Sequence, residues 1–230
     1  MQHASGHTLK AFDEDIERLR ALISQMGGLA EHAIDEAMRC LIQRDLEGAA
    51  QIVQDDKKLD TLEIETERRA VQLIALRAPM AGDLRDVVAA LKISGVVERI
   101  GDYAKNIAKR VPLLESAGKI EPLSLLPEMA RIATAMVHDV LDAFVERDAQ
   151  AAIRVCERDQ AVDDFYDSIF RTLLTHMMEN PHNIGQSAHL LFVAKNLERV
   201  GDHATNIAEM VYYAATGQHM ADRPGKSAST

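Results

Sequence analysis

Tryptophan is missing from the 230 residues, and aromatic residues together make up only 4% of them. A core built without large rings must be packed from Ala, Val, Ile, Leu and Met, a palette that suits helix packing better than a β-sandwich. Proline is scarce, at six, and glycine modest, at twelve, so little interrupts long helices. Only two cysteines occur, Cys40 and Cys156, in apolar surroundings and without a CxxC spacing. They read as small buried hydrophobes of a reducing compartment. No apolar run reaches the 18 residues of a membrane span, because Lys92 interrupts the best stretch, so no membrane insertion is expected. The start, Met1 to His7, lacks the basic opening and apolar run of a secretory signal, which leads to the expectation of a cytoplasmic protein. Positive charge is also short: 36 acids stand against 26 bases, a net charge of −10, and direct nucleic-acid binding is not expected of such a chain. Gly-rich phosphate loops, HExxH and Gly-x-Ser-x-Gly are absent as well.

What is present is a repeat. The segment from Glu98 to Ala108 (ERIGDYAKNIA) recurs from Glu198 to Ala208 (ERVGDHATNIA) at an offset of 100, with eight of eleven positions identical. Upstream the offset is 103: Arg44-Asp45 matches Arg147-Asp148, and Asp56 and Asp60 match Asp159 and Asp163. The second half is therefore three residues shorter in the region marked by Pro79 and Pro181, a helix–helix turn. A repeat that keeps register across a deletion in a turn is a duplicated fold. Each half reads as three helices: about Leu9 to Arg44, Gly48 to Arg77 and Asp83 to Leu114, then Leu126 to Arg147, Ala149 to Glu179 and Ile184 to Ala215. The chain is thus expected to be all-α, two three-helix bundles in a pseudo-symmetric tandem over 1–118 and 119–216, followed by a disordered tail at 217–230. In the third helix, Ile93, Val96, Val97, Ile100, Ala104, Ile107 and Val111 form one apolar stripe, and Leu84, Val87, Val88 and Leu91 line the other side. Its first half is apolar nearly all round, so it is central to its bundle or forms an interface. Asp83, after Pro79, fits a helix N-cap.

The chemistry-bearing feature is a set of carboxylates four apart, which lie one above the other on a helix: Asp56/Asp60, Glu98/Asp102, Asp159/Asp163 and Glu198/Asp202. Converging acids on neighbouring helices repel unless a cation neutralises them. Roughly six such acidic pairs would arise by chance in a helical chain of this composition, but recurrence at matching places in both halves does not follow from chance. A metal site and a solvated acidic face remain open at equal weight. Oxygen ligands suit Mg, Mn, Ca or ferric iron. Asn106 and Asn206, a further step of four along, are weaker ligand candidates, and His203 is a nitrogen candidate where the first half has Tyr103. An oxygen-activating di-iron enzyme needs Glu-x-x-His on two helices, whereas the sole example, Glu179 to His182, contains Pro181.

The twin Glu-Arg-x-Gly-Asp-x-Ala-x-Asn-Ile-Ala segments, the acid pairs before them, Asp83-Leu84-Arg85 and Met26-Gly27-Gly28 resemble the PhoU family, from about Phe12 to Ala215. The resemblance implies a non-enzymatic negative regulator of phosphate uptake and of the phosphate-starvation response. It implies the ATPase subunit of the phosphate ABC transporter and a sensor histidine kinase as partners, and a homodimer. Some members of the family bind metal on these motifs, which carries over to Asp56, Asp60, Glu98 and Asp102 in one half and to Asp159, Asp163, Glu198 and Asp202 in the other. Iron, Mn, Mg or Zn is the expected ion. The alternative is a carboxylate-bridged metal-binding or metal-storage protein.

Overall fold

The computed structural model describes residues 3–114 and 124–220, with side chains from residue 12 onward. Seven α-helices run in chain order: α1 (His3–Gln43), α2 (Leu46–Asp55), α3 (Lys57–Arg77), α4 (Gly82–Ala108), α5 (Leu126–Glu146), α6 (Ala149–Glu179) and α7 (Ile184–Thr216). Short 3₁₀ turns follow α4 at Pro112–Leu114 and precede α7 at Pro181–Asn183. α2 and α3 are two segments of one rod. Asp56 between them keeps right-handed helical dihedrals, and its amide still reaches the Ile52 carbonyl, but the Leu59 amide steps back only to Asp56. The single second helix expected from Gly48 to Arg77 is thus kinked at a candidate site residue, and each half contributes three rods.

The repeated Arg-Asp dipeptide makes the joint between the first and second rods. Arg44 and Arg147 both adopt left-handed backbone (φ 57° and 56°), which ends α1 and α5. The aspartate that follows caps the next helix: Asp45 accepts from the Gly48 amide at 2.9 Å, and Asp148 accepts from Gln150 and Ala151 at 2.8 and 2.9 Å. Asp83, by contrast, does not cap α4. The helix begins one residue earlier, and Ala81 occupies the cap position without a side-chain bond. α4 also stops at Ala108, short of the Leu114 expected from sequence, because Pro112 cannot continue the ladder.

Packing partners show how the halves join. α1, α2/α3 and α4 pack together, as do α5, α6 and α7, while α4 lies against α7 and α1 against α5. α1, α4, α7 and α5 therefore form a central four-helix layer, with α2/α3 and α6 applied to its two flanks. α4 and α7 run antiparallel: Arg85 meets Ala214, Tyr103 meets His203, and Arg110 covers the Phe192 ring at 4.6 Å. α4 is both the centre of its bundle and the interface between halves, which explains its apolar N-terminal half. A single buried core crosses both halves, from Ile23, Ile34, Ile93 and Ile100 to Met136, Ile169, Leu197 and Val200. Cys40 and Cys156 are buried within it, and neither is in a disulfide.

Polar ties fix the same interface. Asp86, 6% exposed, faces Arg20 on α1 (3.3 Å) and Arg147 at the end of α5 (3.2 Å). Arg85 Nε donates to the Ala214 carbonyl at 3.4 Å, at the C-terminus of α7, where a cation also suits the helix dipole. The expected boundary between halves at 118/119 and the linker around Glu115 to Pro122 lie outside the described residues. Of the segment 217–230, expected to be a disordered tail, 221–230 lie outside them too. Within reach of description, Gly217 caps α7 with φ 74°, and Met220 packs near Cys156.

A glycine stands at the matching place on the third helix of each half, but only Gly101 sets how closely its helix approaches the neighbour. A Cβ on Gly101 would lie 2.2 Å from Leu59 Cδ1, inside contact distance, whereas one on Gly201 would meet Asp159 Oδ1 and Val162 at 3.4 Å. Alanine favours a helix interior by about 1 kcal/mol over glycine, and overpacking a core costs about 1–3 kcal/mol. Thermal unfolding of the two variants should therefore diverge. Gly201→Ala is expected to raise Tm by roughly 2–4 °C and Gly101→Ala to lower it. An equal shift in both would refute close approach as the reason for Gly101.

Candidate functional site

Gly101 brings α4 against the kink at Asp56, and this places the first carboxylate set on two adjoining rods. Asp56 sits at the kink with its side chain 9% exposed, Asp60 lies one turn on at the surface of α3, and Glu98 and Asp102 face them from α4. Burial, and then the charges of Asp102, Glu63, Asp60 and Asp56, push the Glu98 carboxyl up to about 7. Glu63, on the same face of α3, is raised in turn by burial and by Glu67 and Asp60. The four residues expected from sequence are therefore within electrostatic reach of one another.

A residue that sequence reasoning passed over lies among them. Lys105 Nζ donates to Asp56 Oδ2 at 2.5 Å and also contacts Asp102 Oδ1, so that one ammonium joins the carboxylates of the two rods. Burial works against its charge, but the hydrogen bonds to Asp102 and Asp56 and their charges outweigh it and hold the group above the ordinary lysine value. The signal was available: Lys105 stands three residues after Asp102, on the same helix face. The repeat also changes there, since the matching position is Thr205.

The second half is built differently. Asp159 is buried against the Gly201 position of α7, and Asp163 and Asp202 are half-buried near it in sequence register. Thr205 Oγ donates to the backbone carbonyl of Asp202 at 2.8 Å, its own helix, and offers no cation. The lysine of this half is Lys195, which donates to Glu198 Oε1 at 2.6 Å and lies 5.3 Å from the Tyr166 ring centre. Its counterpart in the first half is Gly95. Glu198 Oε2 is buried without a hydrogen-bond partner among the described residues. His203 does not turn to the acids. Its ring meets Tyr103 edge-on, with Nε2 3.3 Å from the Tyr103 hydroxyl, so the variable position of the repeat motif becomes the contact between repeats. Burial lowers the His203 pKa, with Arg99 and Arg199 adding to the effect against the pull of Asp202.

For metal, the first half does not fit: a cation bound at about 2.0–2.2 Å to carboxylate oxygens would need the space that the Lys105 ammonium fills between Asp56 and Asp102. Among the described residues of either half, no three His, Cys, Asp or Glu side chains come together closely enough to hold an ion. No helix among them is long and apolar enough to cross a membrane.

The doubled fold has counterparts in known proteins. The sequence profile of the PhoU domain matches twice, at residues 23–111 and 126–211, one match on each half. The chain belongs to the PhoU family. A PhoU homolog of Zymomonas mobilis, described as a phosphate-specific transport system accessory protein, is 57% identical over 218 residues, covering 95% of this chain and 92% of that protein. A Caulobacter vibrioides protein of the same description is 47% identical over 96% of each. The crystal structure of PhoU from Pseudomonas aeruginosa superposes with a TM-score of 0.85 at 34% identity, over 90% of this chain and all of that one. The phosphate transport system regulatory protein PhoU of Streptococcus pneumoniae also gives 0.85, at 27% identity over 91% of this chain. Two PhoU domains, all helical, thus make up the fold, and the chain is an accessory protein of phosphate transport, in a family of accessory proteins and not of enzymes.

The raised Glu98 pKa carries a consequence for stability. The folded chain keeps a proton on Glu98 that the unfolded chain releases near 4.5, so this group's favourable contribution is full below pH 4.5 and is lost as pH rises through about 7. Glu98→Gln removes that loss. Thermal unfolding should show the variant above the wild type by roughly 2–4 °C at pH 8, with the gap closing at pH 4. A pH-independent gap would assign the effect to packing instead.

Proposed function

We propose that this chain is a cytoplasmic negative regulator of phosphate uptake and of the phosphate-starvation response. In this reading it connects the ATPase subunit of the phosphate ABC transporter to a sensor histidine kinase and keeps the kinase quiet when phosphate is plentiful. The observation that carries it is the near-full-length likeness to proteins described as accessory to the phosphate-specific transport system. Such a role asks for binding surfaces, not for chemistry. Antiparallel α4 and α7 place the tip of each half at an opposite end of the molecule, and each tip exposes apolar side chains: Leu76, Met80 and Leu84 at one, Leu174, Met178 and Ile184 at the other. Two separate apolar surfaces suit a protein with two partners, or with one partner and a second copy of itself as a homodimer.

Of the two acidic sets, the second is the better candidate for metal. On the half that carries Asp159, Asp163, Glu198 and Asp202, Thr205 stands at the repeat position of Lys105, and one buried Glu198 oxygen lacks a hydrogen-bond partner among the described residues. An ion there would change the charge of the surface offered to a partner. A metal-storage role is the weaker reading, since Lys105 already fills the first set.

Deletion of the gene in the native bacterium tests the regulatory reading. Alkaline phosphatase is expected to rise in phosphate-rich medium to the level of phosphate-starved cells, and to return to the repressed level when the gene is restored. Unchanged activity in the deletion strain would overturn the assignment as negative regulator.

A further inference from the structure

The two repeats carry the same carboxylates but not the same counter-ion. In the first, Lys105 reaches from α4 across to the kink between α2 and α3, and its ammonium lies on Asp56 Oδ2 at 2.5 Å and on Asp102 Oδ1. In the second, the matching Thr205 turns back to its own helix. We propose that Lys105 is a tethered counter-ion that takes the cation position of the first acidic set, so that hard divalent cations do not bind between Asp56 and Asp102 and the two halves of the chain are chemically distinct.

Four features support this. The ammonium bonds one carboxylate from each rod, where a bridging ion would sit. The pair is sheltered, with side-chain exposures of 21% for Lys105 and 9% for Asp56, so water screens it less than a surface ion pair. Close approach at Gly101 holds the two rods at the spacing the lysine spans. A tethered ligand, moreover, competes at an effective concentration in the millimolar range or above. A free cation must displace it and then share the site's surroundings with the displaced positive charge. Of the remaining acids, Asp60 lies exposed at the surface of α3.

Cation binding at this position can be read whether or not the chain regulates transport. The full-length protein is titrated with Mn²⁺, and bound ions per chain are counted from the electron paramagnetic resonance signal of free Mn²⁺. Wild type and Asp102→Asn are expected to bind the same number of ions, because no ion sits on Asp102. Lys105→Thr, which copies the residue of the second half, is expected to bind one more Mn²⁺ per chain than the wild type, and Lys105→Thr with Asp102→Asn to lose it again. Circular dichroism confirms that each variant is folded, and Lys105→Met replaces the threonine variant should that one not fold. Loss of Mn²⁺ from the wild type on Asp102→Asn would overturn the proposal, as would folded Lys105 variants that gain no ion.

Discussion

Carboxylates on two helices repel, and yet α4 runs so close to the kinked rod at Gly101 that a single added methyl would overlap Leu59. The acidic set depends on that contact. The apolar stripe of α4, with Val97, Ile100 and Ile107 fully buried, holds the helices together, and burial of such side chains contributes of the order of 1.5–3 kcal/mol each. That attraction exceeds the few tenths of a kcal/mol by which like charges at helical spacing disfavour a surface helix. The repulsion is then relieved locally, by an ammonium on Asp56 and Asp102, while burial and the neighbouring acids push the Glu98 carboxyl up to about 7. Hydrophobic packing sets the distance, and the ionisable groups adjust to it.

The same helix joins the two repeats. Because α4 and α7 lie antiparallel across a local twofold relation, matching residues meet near its axis, and Tyr103 touches His203. Towards the ends of this contact the ties are polar: Arg85 on the last turn of α7, and Asp86 between Arg20 and Arg147. The Asp-Leu-Arg segment, present only in the first half, thus has a structural task that the second half does not need, since one copy is enough to bind an N-terminus of α4 to a C-terminus of α7. The result is one core with acidic sets on its flanks and apolar tips at its ends, a geometry suited to docking.

Much of this could be read in the sequence, because the strongest signals are periodic. The offset of 100 in the doubled motif, and of 103 before the turn, located both halves and both acidic sets, and helical spacing placed most rods to within a few residues. Four things escaped. The kink at Asp56 leaves no mark, since its backbone stays helical and no Pro or Gly is involved. Asp83 looked like a cap because an acid after proline and glycine often is one, but Ala81 and Gly82 let the helix begin sooner. Lys105 was passed over, because its spacing to Asp102 is local and only the partner rod, brought near by tertiary packing, shows that its ammonium also reaches Asp56. Asp86 escaped for the same reason: both of its partners are far away in sequence. Local patterns reveal which face a residue occupies, but not what arrives opposite.

The pairing of α4 with α7 resembles the interface of a symmetric dimer written into one chain. In a dimer of identical subunits, whatever stands at one position stands at its mate as well. A lysine at the site would fill both acidic sets, and a threonine would leave both without it. Joining the repeats covalently removes that obligation. Lys105 and Thr205 face related surroundings under one fold, and each half is free to drift on its own. Fusion thereby lets a duplicated architecture keep its symmetry of shape while abandoning its symmetry of charge, and a partner approaching from one side meets a different surface from a partner approaching from the other.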